Sequence, residues 1–214
     1  MLSDKKLYIF DMDGTILNTI DDIAGAINYV LDMHGYPRHT VDEVKSFVGN
    51  GLKRALELSL PDGVAGDVLN QLFTELVAYY NEHSNIMTRP YEGIVEVIHK
   101  LREQGKIVAV VSNKRVEAVR DLCDIYFAGC FDMALGDQDG IARKPAPDMT
   151  NMVIEHYGIL KDKCVYIGDS DVDLMTARNT EIDCIAVTWG FRTREFLVEH
   201  GAEIIVDSPW ELLG

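Results

Sequence analysis

The sequence predicts an α/β fold: a doubly wound parallel sheet with a Rossmann-like core, interrupted near its start by an all-helical insertion. Three observations predict it. Short continuous apolar runs recur along the chain and stop abruptly at polar or glycine residues, as strands buried on both faces do. Stretches with helical apolar spacing lie between those runs, and such alternation forms right-handed crossovers and a parallel sheet. Residues 19–85 break the alternation, with helical spacing and no strand-like run.

The first strand is Leu7-Tyr8-Ile9-Phe10, which ends at Asp11. In the insertion, Ile20, Ile23, Ala24, Ile27, Val30 and Leu31 mark an amphipathic helix, and Val68, Leu69, Leu72, Phe73, Leu76, Val77 and Tyr80 mark another. Residues 41–47 and 52–60 are helical between them. The core is expected over 1–18 and 86–214, with the insertion over 19–85. Back in the core, Ile94, Val97, Ile98 and Leu101 form a helix that Gly105 terminates. Strands follow at 107–111, ending at Ser112, and at 133–135, ending at Gly136-Asp137. Met152, Val153, His156 and Tyr157 form the next helix, before Gly158. Two more strands, 164–167 and 184–187, end at Gly168-Asp169 and Thr188.

Composition narrows the function. The 214 residues are 47% hydrophobic and 26% charged, enough apolar material for a core without disulfides or structural metal. Twenty basic residues against 35 acidic ones give a formal net charge of -15, which argues against a nucleic-acid partner. No apolar run approaches the roughly 18 residues of a membrane span, and the N-terminus lacks a secretory pattern. A cytoplasmic protein without a membrane partner is expected. Cysteines 123, 130, 164 and 184 form no C-x-x-C pair and match no zinc spacing, so they read as reduced, buried thiols. The sequence is silent on oligomeric state.

In open parallel sheets, ligands bind beyond the carboxyl ends of the strands. Those ends carry Asp11 and Asp13, Ser112 and Asn113, and Gly168, Asp169 and Ser170. Lys144 joins them from the loop Arg143-Lys144-Pro145-Ala146-Pro147-Asp148, whose prolines restrict the backbone. Two unit charges 4 Å apart cost about 4 kcal/mol at an effective dielectric near 20, so crowded carboxylates call for a cation. Oxygen donors without histidine or cysteine select a hard metal, first of all magnesium. A carboxylate can attack phosphorus, a second can act as acid and base, and a lysine with hydroxyl and amide donors can balance a phosphoryl group.

Asp11-Met12-Asp13-Gly14-Thr15, Ser112, Lys144 and Gly168-Asp169-Ser170-x-x-Asp173 resemble the four motifs of the haloacid dehalogenase superfamily of phosphohydrolases. The insertion resembles that family's small helical cap. Val48-Gly49-Asn50-Gly51-Leu52, Thr188-Trp189-Gly190-Phe191-Arg192 and Gly201-Ala202-Glu203-x-x-Val206-Asp207-Ser208 are similar to its phosphoglycolate phosphatase branch. The resemblance implies that Asp11 is the nucleophile and a magnesium ligand. Asp13 would serve as acid and base and lend its backbone carbonyl to the metal. Thr15 would hold the loop and orient Asp13. Ser112 and the backbone of Asn113 would bind phosphoryl oxygens, and Lys144 would neutralise them and the nucleophile. Asp169 would ligate magnesium, with Asp173 supporting its water shell. In the cap, Gly51 would belong to a loop closing on substrate, and Arg54 or Lys53 would meet a substrate carboxylate.

Blander readings stand beside these. D-x-D-G is turn chemistry, Ser112 could cap a helix, and Asp171 suits a first helical turn. Gly49-Asn50-Gly51 could be a simple turn, and Trp189 and Phe191 core residues. Arg192 could touch substrate or lie on the surface. Asp13 argues against dehalogenase chemistry, and the absence of a histidine near Ile23 argues against a phosphomutase, the nearest being His34. Asn179-Thr180-Glu181-Ile182 stands where the family often has Ala-Gly-Met, which leaves the turn geometry open. A receiver-type phospho-switch or a silent binding module would use the same fold, against the D-x-D pair and the intact motif residues. The expected activity is magnesium-dependent hydrolysis of a small phosphorylated metabolite, first of all phosphoglycolate. Sugar phosphates, nucleotides and pyrophosphate are the alternatives.

Overall fold

The computed structural model describes residues 4–214, which divide into two compact units, one of residues up to Leu17 and from Pro90 onward, the other Asn18–Arg89.

The larger unit is built on a six-stranded sheet. Its strands are β1 (Leu7–Phe10), β4 (Ile107–Arg115), β5 (Met133–Asp137), β6 (Cys164–Gly168), β7 (Asp183–Val187) and β8 (Ile204–Val206), in the order β5-β4-β1-β6-β7-β8. Every neighbouring pair is parallel. The chain winds from β1 outward to β4 and β5, then returns to β6 and winds the other way. The reversal places the carboxyl ends of β1, β4 and β6 side by side, the usual ligand position in such sheets. Register makes this specific. Phe10 is level with both Val110 and Ile167, so Asp11, Ser112 and Asp169 leave the sheet at nearly one height.

Alternate side chains of each central strand enter opposite layers. Tyr8, Phe10, Val108, Val110, Val165 and Ile167 pack with α5 (Ile94–Glu103) and α6 (Val116–Tyr126). Leu7, Ile9, Ala109, Val111, Cys164 and Tyr166 pack with α7 (Asp148–Tyr157) and Ala177 of α8 (Asp171–Thr180). This double burial explains the unbroken apolar runs. The strand β8 was not expected. It has three residues and lies at the sheet edge, too short for a periodic signal. Leu197 of α9 (Arg194–Glu199) packs with Leu174 and Ala186 beside it.

The smaller unit holds α1 (Ile20–Met33), α2 (Val41–Phe47), α3 (Leu52–Ser59) and α4 (Gly66–His83). The stripe expected on α1 is buried, as are Leu69, Leu72, Leu76 and Tyr80 of α4. Thr40 and Glu43 form a reciprocal capping box at the start of α2. The buried Asp22 carboxylate accepts the backbone N–H groups of Ile86, Met87 and Thr88 and the Thr88 hydroxyl. Those bonds tie residues 86–88 to α1. Two-residue strands β2 (Leu17–Asn18) and β3 (Arg89–Pro90) pair where the chain leaves and re-enters the larger unit.

Candidate active site

Asp11 is the first residue past β1, and its N–H donates to the Ile167 carbonyl at 2.9 Å. The chain then closes a tight loop, with the Thr15, Ile16 and Leu17 amides donating to the Met12 carbonyl. Gly14, at φ +89°, completes the turn; a Cβ there would overlap the Asp169 carboxylate. Gly190 approaches from after β7, where a Cβ would collide with Asp169 and the Gly14 carbonyl. The Asp169 carboxylate accepts the Thr15 hydroxyl at 3.0 Å and the Phe191 N–H at 2.8 Å. The Thr15 hydroxyl thus ties the Asp11 loop to Asp169. Trp189 donates its indole N–H to the Thr15 carbonyl at 3.0 Å, which ties the segment after β7 to the Asp11 loop.

Lys144 stands at the centre. Its ammonium lies 2.8 Å from Asp11 Oδ1, 2.8 Å from Asp173 Oδ1 and 3.0 Å from the Tyr166 hydroxyl, which itself donates to the Val111 carbonyl. Asn113 fixes the lysine's main chain, donating to its carbonyl at 3.0 Å and accepting its N–H at 2.9 Å. The Asn113 side chain is therefore committed to the Lys144 loop, leaving a substrate role to the backbone, as the resemblance implies. The Lys144–Pro145 peptide bond is cis. Further along the same loop, Arg143 grips the buried Asp137 carboxylate at the end of β5 through two 2.7 Å bonds.

Asp173 enters from the first turn of α8. Its Oδ2 accepts the Ser170 hydroxyl at 2.6 Å and the Ser170 N–H at 3.1 Å, while Oδ1 faces Lys144. Asp171 occupies the first position of the same helix. Ser112, 2% exposed, accepts the Lys114 N–H at 3.3 Å; it does not cap α6, whose cap position is Arg115. The Asp13 carboxylate turns to Lys114, whose Nζ lies 2.9 and 3.0 Å from its two oxygens. In the smaller unit, Gly51 is the cap residue of α3 at φ +85°, and Arg54 pairs with Glu57 one turn on. Lys53 donates to Asn70 at 2.7 Å. Arg192, largely covered, lies 3.9 Å from Asp171.

Carboxylate oxygens of Asp11, Asp169 and Asp173 all lie within 4.8 Å of one another, and all three residues are buried. Burial pushes the Asp11 carboxyl up to about 7, with Lys144 opposing and Asp173 adding to the rise. Burial, then the charges of Asp173 and Asp11, push Asp169 up to about 8. Burial alone would pull the Lys144 ammonium down, but Asp11 and Asp173 outweigh it and hold its pKa well above the usual lysine value. Fully ionised, the three carboxylates and the Lys144 ammonium would leave two negative charges in a buried site. An all-oxygen donor set carrying that excess fits a divalent cation.

Lys114, Tyr166 and Arg143 were not singled out from sequence, and Ser170 was placed at the strand end without its bond to Asp173. Tyr166 reads there as a core aromatic, because nothing in a strand pattern says that its hydroxyl meets a lysine 22 residues away. Lys114 was legible in principle, being two residues past Ser112 at a strand end.

Comparison with known proteins follows the same lines. Residues 8–187 match the family model of haloacid dehalogenase-like hydrolases. The chain is 26% identical to a phosphoglycolate phosphatase of Aliivibrio fischeri, over 97% of this chain and 95% of that one. It is 29% identical to an N-acetylmuramic acid 6-phosphate phosphatase of Pseudomonas aeruginosa, over 97% of this chain and 93% of that one. Among solved structures, it superimposes with a TM-score of 0.92 on a Lactobacillus delbrueckii subsp. bulgaricus protein provisionally named phosphoglycolate phosphatase. That pair is 43% identical over 97% of this chain and 96% of the other. The family-model match over residues 8–187, with a buried lysine and a carboxylate trio beside the Asp11 loop on a fold shared along nearly the whole chain, places this protein in the haloacid dehalogenase-like hydrolase family, as a phosphatase that hydrolyses a small phosphate monoester.

Proposed function

We propose that this protein is a cytoplasmic, magnesium-dependent phosphatase whose substrate is phosphoglycolate. The observation that carries the mechanism is the Lys144 ammonium lodged between Asp11 and Asp173 at the head of β1. It opposes the burial that would neutralise the nucleophile, and it presents positive charge to an incoming phosphate. Both named relatives act on phosphate esters of acids, which supports a substrate carrying a carboxylate.

In the first step an Asp11 oxygen bonds to phosphorus. The bond from phosphorus to the ester oxygen breaks, its electron pair goes to that oxygen, and Asp13 supplies the proton. In the second step water attacks the aspartyl-phosphate, Asp13 takes the water's proton, and phosphate leaves Asp11. Ser112 and the backbone of Asn113 hold phosphoryl oxygens. Asp11, Asp169 and the Asp13 carbonyl would hold the magnesium ion, with Asp173 supporting its waters; the ion supplies charge that offsets the phosphoryl oxygens. Gly51 and Arg54 are assigned to the substrate's carboxylate end.

Phosphate release from a panel of esters, with magnesium and with EDTA, tests the reading. The panel holds phosphoglycolate, N-acetylmuramic acid 6-phosphate, hexose phosphates, nucleotides and pyrophosphate. Magnesium-dependent turnover concentrated on phosphoglycolate is expected. Turnover concentrated on another ester overturns the substrate and keeps the class. Asp11→Asn removes the nucleophile, and its turnover is expected to fall by at least about 10³-fold with an unchanged circular dichroism spectrum. Retained turnover would exclude the covalent route.

A further inference from the structure

We propose that Lys114 is the positioning residue for the acid–base carboxylate of Asp13. The inference rests on the acid–base role given to Asp13 above. One ammonium lies at nearly equal distance from both Asp13 oxygens, 2.9 and 3.0 Å, which turns both oxygens toward Lys114 and holds the carboxylate in place. The ammonium end is well covered, the lysine side chain being 7% exposed and that of Asp13 21%. A covered ion pair has few alternative geometries, because either partner leaving the other would strand a charge away from water.

The position of Lys114 in the chain gives the pair its meaning. Its backbone N–H bonds to Ser112 Oγ, the hydroxyl assigned to the phosphoryl group, and its side chain reaches the loop after β1. A single residue therefore couples the phosphoryl-binding end of β4 to the carboxylate that must meet the leaving oxygen. The next residue, Arg115, turns the other way, to Asp137, Asp139 and Glu117. Among the described residues, the bonds that close the loop carrying Asp13 are made by backbone groups. A carboxylate that must deliver a proton within hydrogen-bond reach loses rate steeply when its orientation is free.

The test compares kcat/KM on two substrates. This ratio covers the steps up to departure of the leaving group and excludes hydrolysis of the aspartyl-phosphate. One substrate is the best alkyl phosphate of the panel, whose leaving oxygen needs a proton. The other is p-nitrophenyl phosphate, whose leaving oxygen does not. Lys114→Gln is expected to lower kcat/KM for the alkyl phosphate by about 10- to 100-fold, with little change for the aryl phosphate. Lys114→Arg, which can still donate to both oxygens, is expected to recover most of the loss. Adding Lys114→Gln to Asp13→Asn is expected to cost nothing further on the alkyl phosphate. Equal losses on both substrates, or no loss, would overturn the inference, since a lysine that only binds phosphate or braces the fold does not distinguish leaving groups. Asp13→Asn alone serves as the control. If it shows no leaving-group dependence, the acid–base assignment fails, and that failure is separate from the failure of Lys114→Gln to follow it.

Discussion

Asp11 is held by opposing forces. Burial disfavours its charge, and Lys144 at 2.8 Å offsets only part of that, so the carboxyl still rises to about 7. Asp169 has no lysine of its own and is pushed further, to about 8. Without metal, both carboxyls bind a proton in the folded protein at pH values where the unfolded chain has released it. The folded state then holds more protons from about pH 4 up to the raised values, so stability falls as pH rises through that window. Thermal melts of EDTA-treated protein are expected to show Tm declining from pH 5 to pH 8. Magnesium needs the ionised carboxylates, so the stabilisation it gives is expected to grow over the same range. At 100 times its Kd it is worth about 2.7 kcal/mol, or about 5–11 °C for a chain of this length. A metal-induced shift that is equal at pH 5.5 and pH 8 would argue against these carboxylates as ligands. At this scale the sequence named the aspartates, Ser112 and Lys144, because their chemistry is visible in their type and place. It did not name Tyr166 or Lys114 as partners, because hydrogen bonds across more than twenty residues leave no spacing to read.

Helix α8 shows how an element can depart from its usual form and keep its place. It ends at Glu181 with φ +62°, the left-handed conformation that glycine adopts without cost, and its N–H still closes the turn on Arg178. The doubtful segment 179–182 therefore makes the ordinary helix stop with an unusual residue. Glu181 also pairs with Lys161 at 2.9 Å, but both side chains are exposed and such pairs contribute little. Glu181→Gly is expected to raise Tm by about 2 °C and leave kcat/KM unchanged. A lower Tm would mean that the Lys161 pair outweighs the backbone strain. The strands with two buried faces were legible as apolar runs, and the helices α1 and α4 of residues 18–89 as stripes. The edge strand β8 was not, since three residues carry no period. The ribbon of β2 and β3 escaped for the same reason.

At the scale of the whole molecule, a net charge of -15 surrounds a site meant for an anion. Productive binding therefore depends on a few placed cations. Within the larger unit the cation that the proposed mechanism sets against the phosphate is Lys144. In the helical unit Arg54, proposed above for the substrate's carboxylate, is half exposed and pairs with Glu57 one turn away, and an exposed pair of that kind contributes little. Arg54→Ala is expected to raise KM about tenfold for carboxylate-bearing esters and to leave KM for neutral esters nearly unchanged. Equal effects on both would remove Arg54 from substrate selection. Each unit has its own buried apolar set, so such a change in the helical unit is expected to leave the fold of the larger one intact.

The sequence by itself determined the class of sheet, the helical block, the strand ends that carry Asp11, Ser112 and Asp169, and the phosphoryl-transfer chemistry those residue types can perform. These follow from periodicity and residue type, which are local properties. Only the tertiary structure decided the partners: that Lys144 divides itself among Asp11, Asp173 and Tyr166, that Asn113 serves the lysine's backbone, and that Lys114 holds Asp13. Strand order and register bring those groups within 3 Å, and pairings between distant segments are set by the packing of the whole sheet, which no window of sequence contains.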